Sequence, residues 1–306
     1  MVRTPRPLPR RLPLRALSIL LFSLVVAYSV GAVVGQARPQ HPYYTAFLAD
    51  RVHVHAHAGG DHLHPGNTLL AFAHAVELGV DVLELDTQIT ADGVIVVIHD
   101  DTVDRTTDGT GRVRDLTYAQ LRELDAGFRW RPPGGDPDVF PFRGAGLAVP
   151  TLLEVLEAFP TVGVNLDMKA DDPRVPAATC AVVRAADRER SVMAASFIDA
   201  NLRAFREICP GVATSAGPDE VRSFYAFNLL GLGRWMRPAA DAFQVPVRQG
   251  SIEIVTARMV RGLAERNVRL DVWTINDEAE MRRLLDLGVS GIITDRPDLA
   301  LGLLGR

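Results

Sequence analysis

The chain has 306 residues, 47% of them hydrophobic, with 33 basic and 37 acidic side chains and a formal net charge of -4. That is enough apolar material for one large α/β domain or two ordinary ones, and the balance excludes a disordered chain. The basic residues are scattered apart from one cluster at the extreme N-terminus, which argues against a nucleic-acid-binding surface.

The cluster, Arg3, Arg6, Arg10, Arg11 and Arg15, makes a basic segment of residues 1–15, and an uncharged apolar run follows at 16–35. Such a run has the helical length that crosses the hydrocarbon of a bilayer. Arginines before it and none within it place the N-terminus in the cytoplasm. The sequence therefore predicts a single-pass cell-membrane anchor with the rest of the chain outside. The alternative is a cleaved signal peptide, with Gly35-Gln36-Ala37 as its small-residue site and a secreted product. Residues 36–51, with Pro39 and Pro42, lack periodicity and read as a tether.

From residue 52 to 306, short β-like runs alternate with amphipathic helical stretches, the pattern of a parallel sheet with crossover helices. Candidate strands are 52–57, 82–87, 162–168, 191–196, 211–214, 242–245, 270–275 and 291–294, and eight is the number that closes a (β/α)8 TIM barrel. Asn67 or Thr68 caps a helix closed by Gly79; Pro150-Thr151 opens another, and Asn276-Asp277 opens one that ends before Gly288. Ala91-Asp92-Gly93 between two β-rich runs predicts a hairpin after the second strand, with Glu84 level with His99 and Asp86 level with Val97. An inserted segment, about 100–149, is rich in Gly, Pro and Asp and is expected over the barrel mouth. Cys180 and Cys209 fall on successive helices, where a bridge and two buried thiols are both open.

Chemistry gathers at the C-terminal ends of barrel strands. His57 ends the first, Glu84 and Asp86 share a face near the end of the second, and Asp167 and Lys169 end the third. His53 and His55, earlier in the first strand, read as structural. Two carboxylates on one face of an apolar strand repel unless a cation lies between them, and His99 adds a titratable ring nearby.

The pieces H-A-G-G, P-G-N-T-L-L-A-F, E-L-D, A-D-G-V-I-V-V-I-H-D and D-R-T-T-D-G-T-G resemble the signature of glycerophosphodiester phosphodiesterases, the phospholipase C-like TIM-barrel phosphodiesterases. P-F-R-G-A-G-L-A-V-P-T-L-L-E-V-L, N-L-D-M-K, D-V-W-T-I-N and G-I-I-T-D-R-P follow in the family's order, so the likeness covers roughly residues 52 to 302. It implies hydrolysis of glycerophosphodiesters to glycerol 3-phosphate and an alcohol, with His57 and His99 as the acid–base pair. One divalent cation (Ca2+, Mg2+ or Mn2+) on Glu84, Asp86 and Asp167 would neutralise phosphoryl charge. Lys169 and Trp273 are the candidate phosphate- and substrate-binding residues.

The chain departs from the family at Ala58, where arginine is usual; at Gly66, where glutamate is usual; and at Asp167, one methylene shorter than the usual glutamate. His62, His64 or Arg105 are the candidates to replace the lost guanidinium. Two other readings follow. One is lysophospholipase D-type hydrolysis, with Phe224, Trp235 and Met236 contacting acyl chains at the mouth. The other is a membrane-tethered protein that binds phosphodiester head groups or a partner without turnover.

Overall fold

The computed structural model describes residues 14–34, 37–48 and 51–306. The arginines before residue 14, Gly35-Gln36 of the alternative cleavage site, and residues 49 and 50 of the expected tether lie outside the described residues.

From the N-terminus come α1 (Leu14–Val34), β1 (His53–Ala56), α2 (Leu69–Leu78), β2 (Val82–Ile89) and β3 (Ile95–Val97). The inserted segment carries α3 (Tyr118–Arg122). Then follow α4 (Leu152–Ala158), β4 (Gly163–Met168), α5 (Val175–Ala185), β5 (Val192–Ala195), α6 (Asp199–Ile208), β6 (Ala213–Thr214), α7 (Pro218–Leu229) and β7 (Ala242–Pro246). A small hairpin, β8 (Arg248–Gln249) and β9 (Ile252–Glu253), precedes α8 (Ala257–Ala264), β10 (Arg269–Trp273), α9 (Glu278–Leu287), β11 (Gly291–Thr294) and α10 (Pro297–Leu303).

Eight parallel strands run β6-β5-β4-β2-β1-β11-β10-β7, and a parallel bridge from Ser215 to Ala242 closes the ring. All eight are the strands expected from the sequence. Along each, alternate side chains part company. Val54, Leu83, Leu85, Val164 and Leu166 face the helices and form the main core, while His53, His55, Glu84, Asp86, Asn165 and Asp167 are buried polar groups on the other face. Thr68 caps α2 by accepting from Ala71 N, and Thr151 with Glu154 forms a capping box on α4. The inserted segment packs on its own small core of Val96, Ile98, Val103, Val113, Leu121 and Val149.

The hairpin register differs from expectation by one residue. Thr87 pairs with Val97, Gln88 with Val96 and Ile89 with Ile95. The connection is a three-residue loop centred on Asp92, closed by Gly93 N to Thr90 O at 3.1 Å and Thr90 N to Val94 O at 3.0 Å, with Gly93 at φ 85°. β3 ends at Val97, so His99 leaves the ladder and does not pair with Glu84.

The segment before the barrel is packed rather than loose. Tyr43 and Tyr44 are buried against Val82, Met193, Ala213 and Ala242, the first residues of four strands or their neighbours, and so plug the lower end of the barrel. Beside them Asp81 receives Arg51 at 2.6 Å and Arg306 at 2.8 Å, which ties both ends of the barrel chain together. A Cys180–Cys209 disulfide joins α5 to the end of α6.

The apolar stretch expected to meet acyl chains lies elsewhere. Phe224 on α7 is fully buried and packs edge-on against Phe243 at 5.3 Å, and Met236 packs on the main core. Trp235 belongs to the 3-10 turn Gly233–Trp235 that follows α7 and precedes β7. A connection that follows a helix returns the chain to the N-terminal ends of the strands, opposite the mouth. There Trp235 meets the last turns of α1, with Tyr28 at 6.4 Å. Among the described residues no helix is long and apolar enough to cross a membrane; the side chains of α1 are described for residues 15–31.

Candidate active site

At the upper end of β1 the chain bends into the turn His57–Gly59, with Ala58 at φ 49°. A left-handed alanine costs about 1–2 kcal/mol. The bend directs the Ala58 N–H at Glu84, donating to Oε2 at 2.9 Å. It also leaves His57 between two acids: Nδ1 lies 2.6 Å from Asp295 Oδ1, and Nε2 lies 4.0 Å from Glu84 Oε2. Burial pushes the imidazole down, but Glu84, Asp295 and Asp86 outweigh it and lift His57 to about 9. Glu84 is pushed up to about 7 by burial and by Asp86, against the pull of His57.

Asp295 is held in turn. Asn276 Nδ2 donates to its Oδ2 at 2.6 Å, and Asn276 Oδ1 accepts from the Asp295 N–H at 2.9 Å. Asp295 stands just beyond β11, at the upper end of the last strand, where the rule used for the other strands would have found it.

Asp86 and Asp167 are directly opposed across the β2–β4 ladder. Lys169 Nζ reaches between them, 2.7 Å from Asp167 Oδ2 and 3.1 Å from Asp86 Oδ1. Burial acts against the ammonium, and the two carboxylates more than reverse that, holding Lys169 above its ordinary range. Asn67, a candidate cap in the sequence, is a site residue instead: its Nδ2 donates to Asp86 Oδ2 at 2.9 Å while its Oδ1 accepts the Asp86 N–H at 3.2 Å. Among the described residues no group of three or more His, Cys, Asp or Glu side chains is arranged to hold a metal ion. The donor set is nevertheless all oxygen, as hard cations require: Asp167 Oδ1 is buried and accepts no hydrogen bond, and the one cation against Asp86 Oδ1 is Lys169 Nζ.

His99 is half-exposed on the opposite wall, with Nδ1 2.7 Å from Asp100 Oδ1. Asp100 also takes Arg105 at 2.6 and 2.9 Å, so one carboxylate positions both. His57, Ala58, Asp61, Asn67, Asp86 and His99 line a single cavity of about 240 Å³. The structure thus brings both expected histidines to one cavity with Asp86, while Glu84, Asp167 and Lys169 reach it through those neighbours. Trp273 is one step removed: it packs edge-on to Phe197 at 5.7 Å, and Phe197 presents its ring to Lys169 Nζ at 5.5 Å. Gly66, where the family's glutamate is usual, packs tightly against Asp61. A Cβ there would lie 2.6 Å from Asp61 Oδ1, which takes the Gly66 N–H at 2.8 Å. Asp61 thereby restores a carboxylate to this wall.

Residues 57–299 match the model of the glycerophosphoryl diester phosphodiesterase family. A glycerophosphodiester phosphodiesterase of Caldanaerobacter subterraneus subsp. tengcongensis is 31% identical, over 82% of this chain and 97% of that one. Of solved structures, a glycerophosphodiester phosphodiesterase from Agrobacterium tumefaciens str. C58 is 28% identical with a TM-score of 0.64, covering 81% of this chain and 99% of its own. An Oleispira antarctica phosphodiesterase, solved with the product sn-glycerol-3-phosphate, shares the fold at a TM-score of 0.68 and 24% identity, over 86% of this chain and 99% of that one.

Proposed function

The chain belongs to the glycerophosphoryl diester phosphodiesterase family and is a phosphoric diester hydrolase; from that premise we propose that His57 and His99 cleave glycerophosphodiesters to glycerol 3-phosphate and an alcohol. The observation that carries the reading is the position of His57, clamped by Asp295 and Glu84 and facing the same cavity as His99.

His57 is assigned as the acid because Asp295, which takes no part in holding the cation, stands 2.6 Å from Nδ1 and favours the imidazolium; without a cation Glu84 and Asp86 add to that and lift the ring to about 9. His99, fixed through Nδ1 by Asp100, has its other ring nitrogen to serve as base. The attacking hydroxyl, of water or of the substrate's own glycerol, gives its proton to His99 as its oxygen bonds to phosphorus. The bond from phosphorus to the leaving oxygen breaks, and that oxygen takes the proton from His57. Where the glycerol hydroxyl attacks, the product is a cyclic phosphate, which water then opens to glycerol 3-phosphate, giving its proton to His57 while His99 returns one to the ring oxygen. Lys169 adds positive charge beside the phosphoryl group.

A divalent cation, Ca2+, Mg2+ or Mn2+, belongs to the same proposal. Glu84, Asp86 and Asp167 would hold it, and it would neutralise charge on the phosphoryl oxygens. The buried Asp167 Oδ1, which accepts no hydrogen bond, supports that reading. So does the behaviour of Glu84, which burial and Asp86 leave close to neutrality.

Placement outside the cytoplasm is also proposed. α1 runs for 21 residues, and Leu17, Ile19, Leu21, Phe22, Leu24 and Val30 are exposed around it, an arrangement that water does not favour. The disulfide suits an oxidising compartment. Because α1 meets the lower end of the barrel, the mouth opens away from it, which favours water-soluble diesters over lysophospholipids.

The test is release of glycerol 3-phosphate from glycerophosphodiesters by the purified full chain, after chelation and on return of each cation. Full turnover in chelator would remove the cation from the scheme. Release under no condition would overturn the reading as a whole.

A further inference from the structure

A second cavity, about 610 Å³, opens beside the first under the inserted segment. The two share Asp61, Gly66, Arg105, Thr106 and Ala126, so they adjoin across these residues. Gly66 lies tightly in that shared wall, where a Cβ would meet Asp61 Oδ1 at 2.6 Å and the Ala58 Cβ at 3.0 Å. Trp130 fixes the far wall, its Nε1–H donating to Asp61 O at 2.8 Å.

The lining of this second cavity is aromatic and cationic together. Arg129 Nε donates to Thr107 O at 2.9 Å and Arg131 Nη1 donates to Pro137 O at 2.8 Å. Among the described residues neither guanidinium has an ion pair with a carboxylate. Arg131 lies over the Phe140 ring at 5.7 Å, and Arg143 covers the same ring at 3.8 Å. Nearby acids are engaged elsewhere: Asp125 accepts from the Gly127 and Gly144 amides, Asp136 from that of Asp138, and Asp100 holds Arg105. Asp61 is the acid that lines the cavity itself.

We propose that the second cavity is the leaving-group subsite, and that it selects phosphodiesters whose alcohol carries a second phosphate. This rests on the hydrolytic reading of the first cavity and specifies its substrate. A phosphate has the geometry that guanidinium forks recognise, and Arg129 and Arg131 each keep N–H groups to offer it. A quaternary ammonium would be held best between several ring faces, and of the Trp and Phe rings that line the cavity Phe140 is already covered by guanidinium, which leaves Trp130 alone. Two arginines without acidic partners would also repel it.

The experiment compares kcat/KM for bis(glycerophospho)glycerol, glycerophosphoglycerol and glycerophosphocholine, whose alcohols are anionic, neutral and cationic. The expected order is that order. In Arg129→Gln and in Arg131→Gln the ratio between the first two substrates should fall roughly tenfold, as loss of one charge-assisted hydrogen bond implies. Near-ultraviolet circular dichroism, the summed signal of the three tryptophans and the other aromatic side chains, reports that each variant keeps its fold. Preference for glycerophosphocholine, or a ratio unmoved in both variants, would overturn the subsite while leaving the hydrolase intact. Hydrolysis of none of the three would overturn the hydrolytic reading itself.

Discussion

The two ends of the barrel hold the same kinds of residue in opposite electrical states. At the lower end His55 is wholly buried, with Nε2 3.9 Å from Asp271 Oδ2, and burial pushes it down to about 3. Asp271 is pushed up by the same burial, and the plugging Tyr43 and Tyr44 are pushed up as well. His55 and the two tyrosines are neutral near pH 7, and burial moves Asp271 toward its neutral form, the cheaper state for a group sealed from water. Two residues along the same strand direction, His57 is lifted to about 9 because Glu84 and Asp295 stand against it. Residue type does not decide which histidine is useful. What decides it is whether burial comes with opposite charge and a cavity.

The largest effect should fall on that contrast. His57→Ala removes the proton donor and should lower kcat roughly 100-fold or more, the usual contribution of an acid–base group. His55→Ala leaves a hole in the lower interior and should cost about 2–5 kcal/mol of stability, with kcat unchanged at temperatures where the variant is folded. Turnover assays beside thermal denaturation separate the two. Equal losses of kcat at both positions would mean that β1 needs its histidines only for structure.

Much of this division was legible in the sequence because one rule, chemistry at the C-terminal ends of strands, sorts His57 from His53 and His55. All eight barrel strands followed from alternating β-rich runs and helix caps. The hairpin register did not, since one residue of register turns on whether the loop holds two or three residues, and Gly93 suits either. Asn67 was hidden because helix caps and site ligands draw on the same amino acids. The segment from Phe224 to Met236 shows the limit of composition: apolar residues at helical spacing look alike whether they meet core or lipid. Tyr43 and Tyr44 lie in one five-residue π-helical turn, too short for any period to register.

A smaller effect should sharpen the contrast through pH. With His57 as acid, kcat should fall on the alkaline side with a limb above the ordinary histidine value of about 6.5, because Asp295 stays against the ring when a cation takes Glu84 and Asp86. Asp295→Asn removes one of the carboxylates that sustain the imidazolium, and should move that limb toward the ordinary histidine value of about 6.5. The sign for stability is the same. A histidine raised in the folded state stabilises fully below about 6.5 and loses that contribution as pH rises through about 9. His55, lowered to about 3, acts in reverse: its contribution is present above about 6.5 and is lost as pH falls toward about 3. A pH–rate profile of Asp295→Asn that superimposes on the parent's would remove His57 from the role of acid.

The smallest effect is expected at Trp235, and it tests whether the lower end is a substrate surface at all. Trp235 sits where α7 has already returned the chain to the bottom of the barrel, and its ring packs on α1: a Cβ at Gly31 would lie 2.7 Å from Trp235 Cδ2. A glycine at that point lets helix and ring approach closely, so the contact joins α1 to the barrel rather than forming an acyl-chain groove. Trp235→Ala should therefore leave KM and kcat for glycerophosphodiesters and for lysophosphatidylcholine alike within experimental error. It should loosen α1, measurable as faster proteolysis between residues 34 and 51, while the barrel keeps its melting temperature to within a few degrees. A rise in KM confined to lysophosphatidylcholine would place substrate at the lower end, and the division between a sealed end and a working end would fail with it.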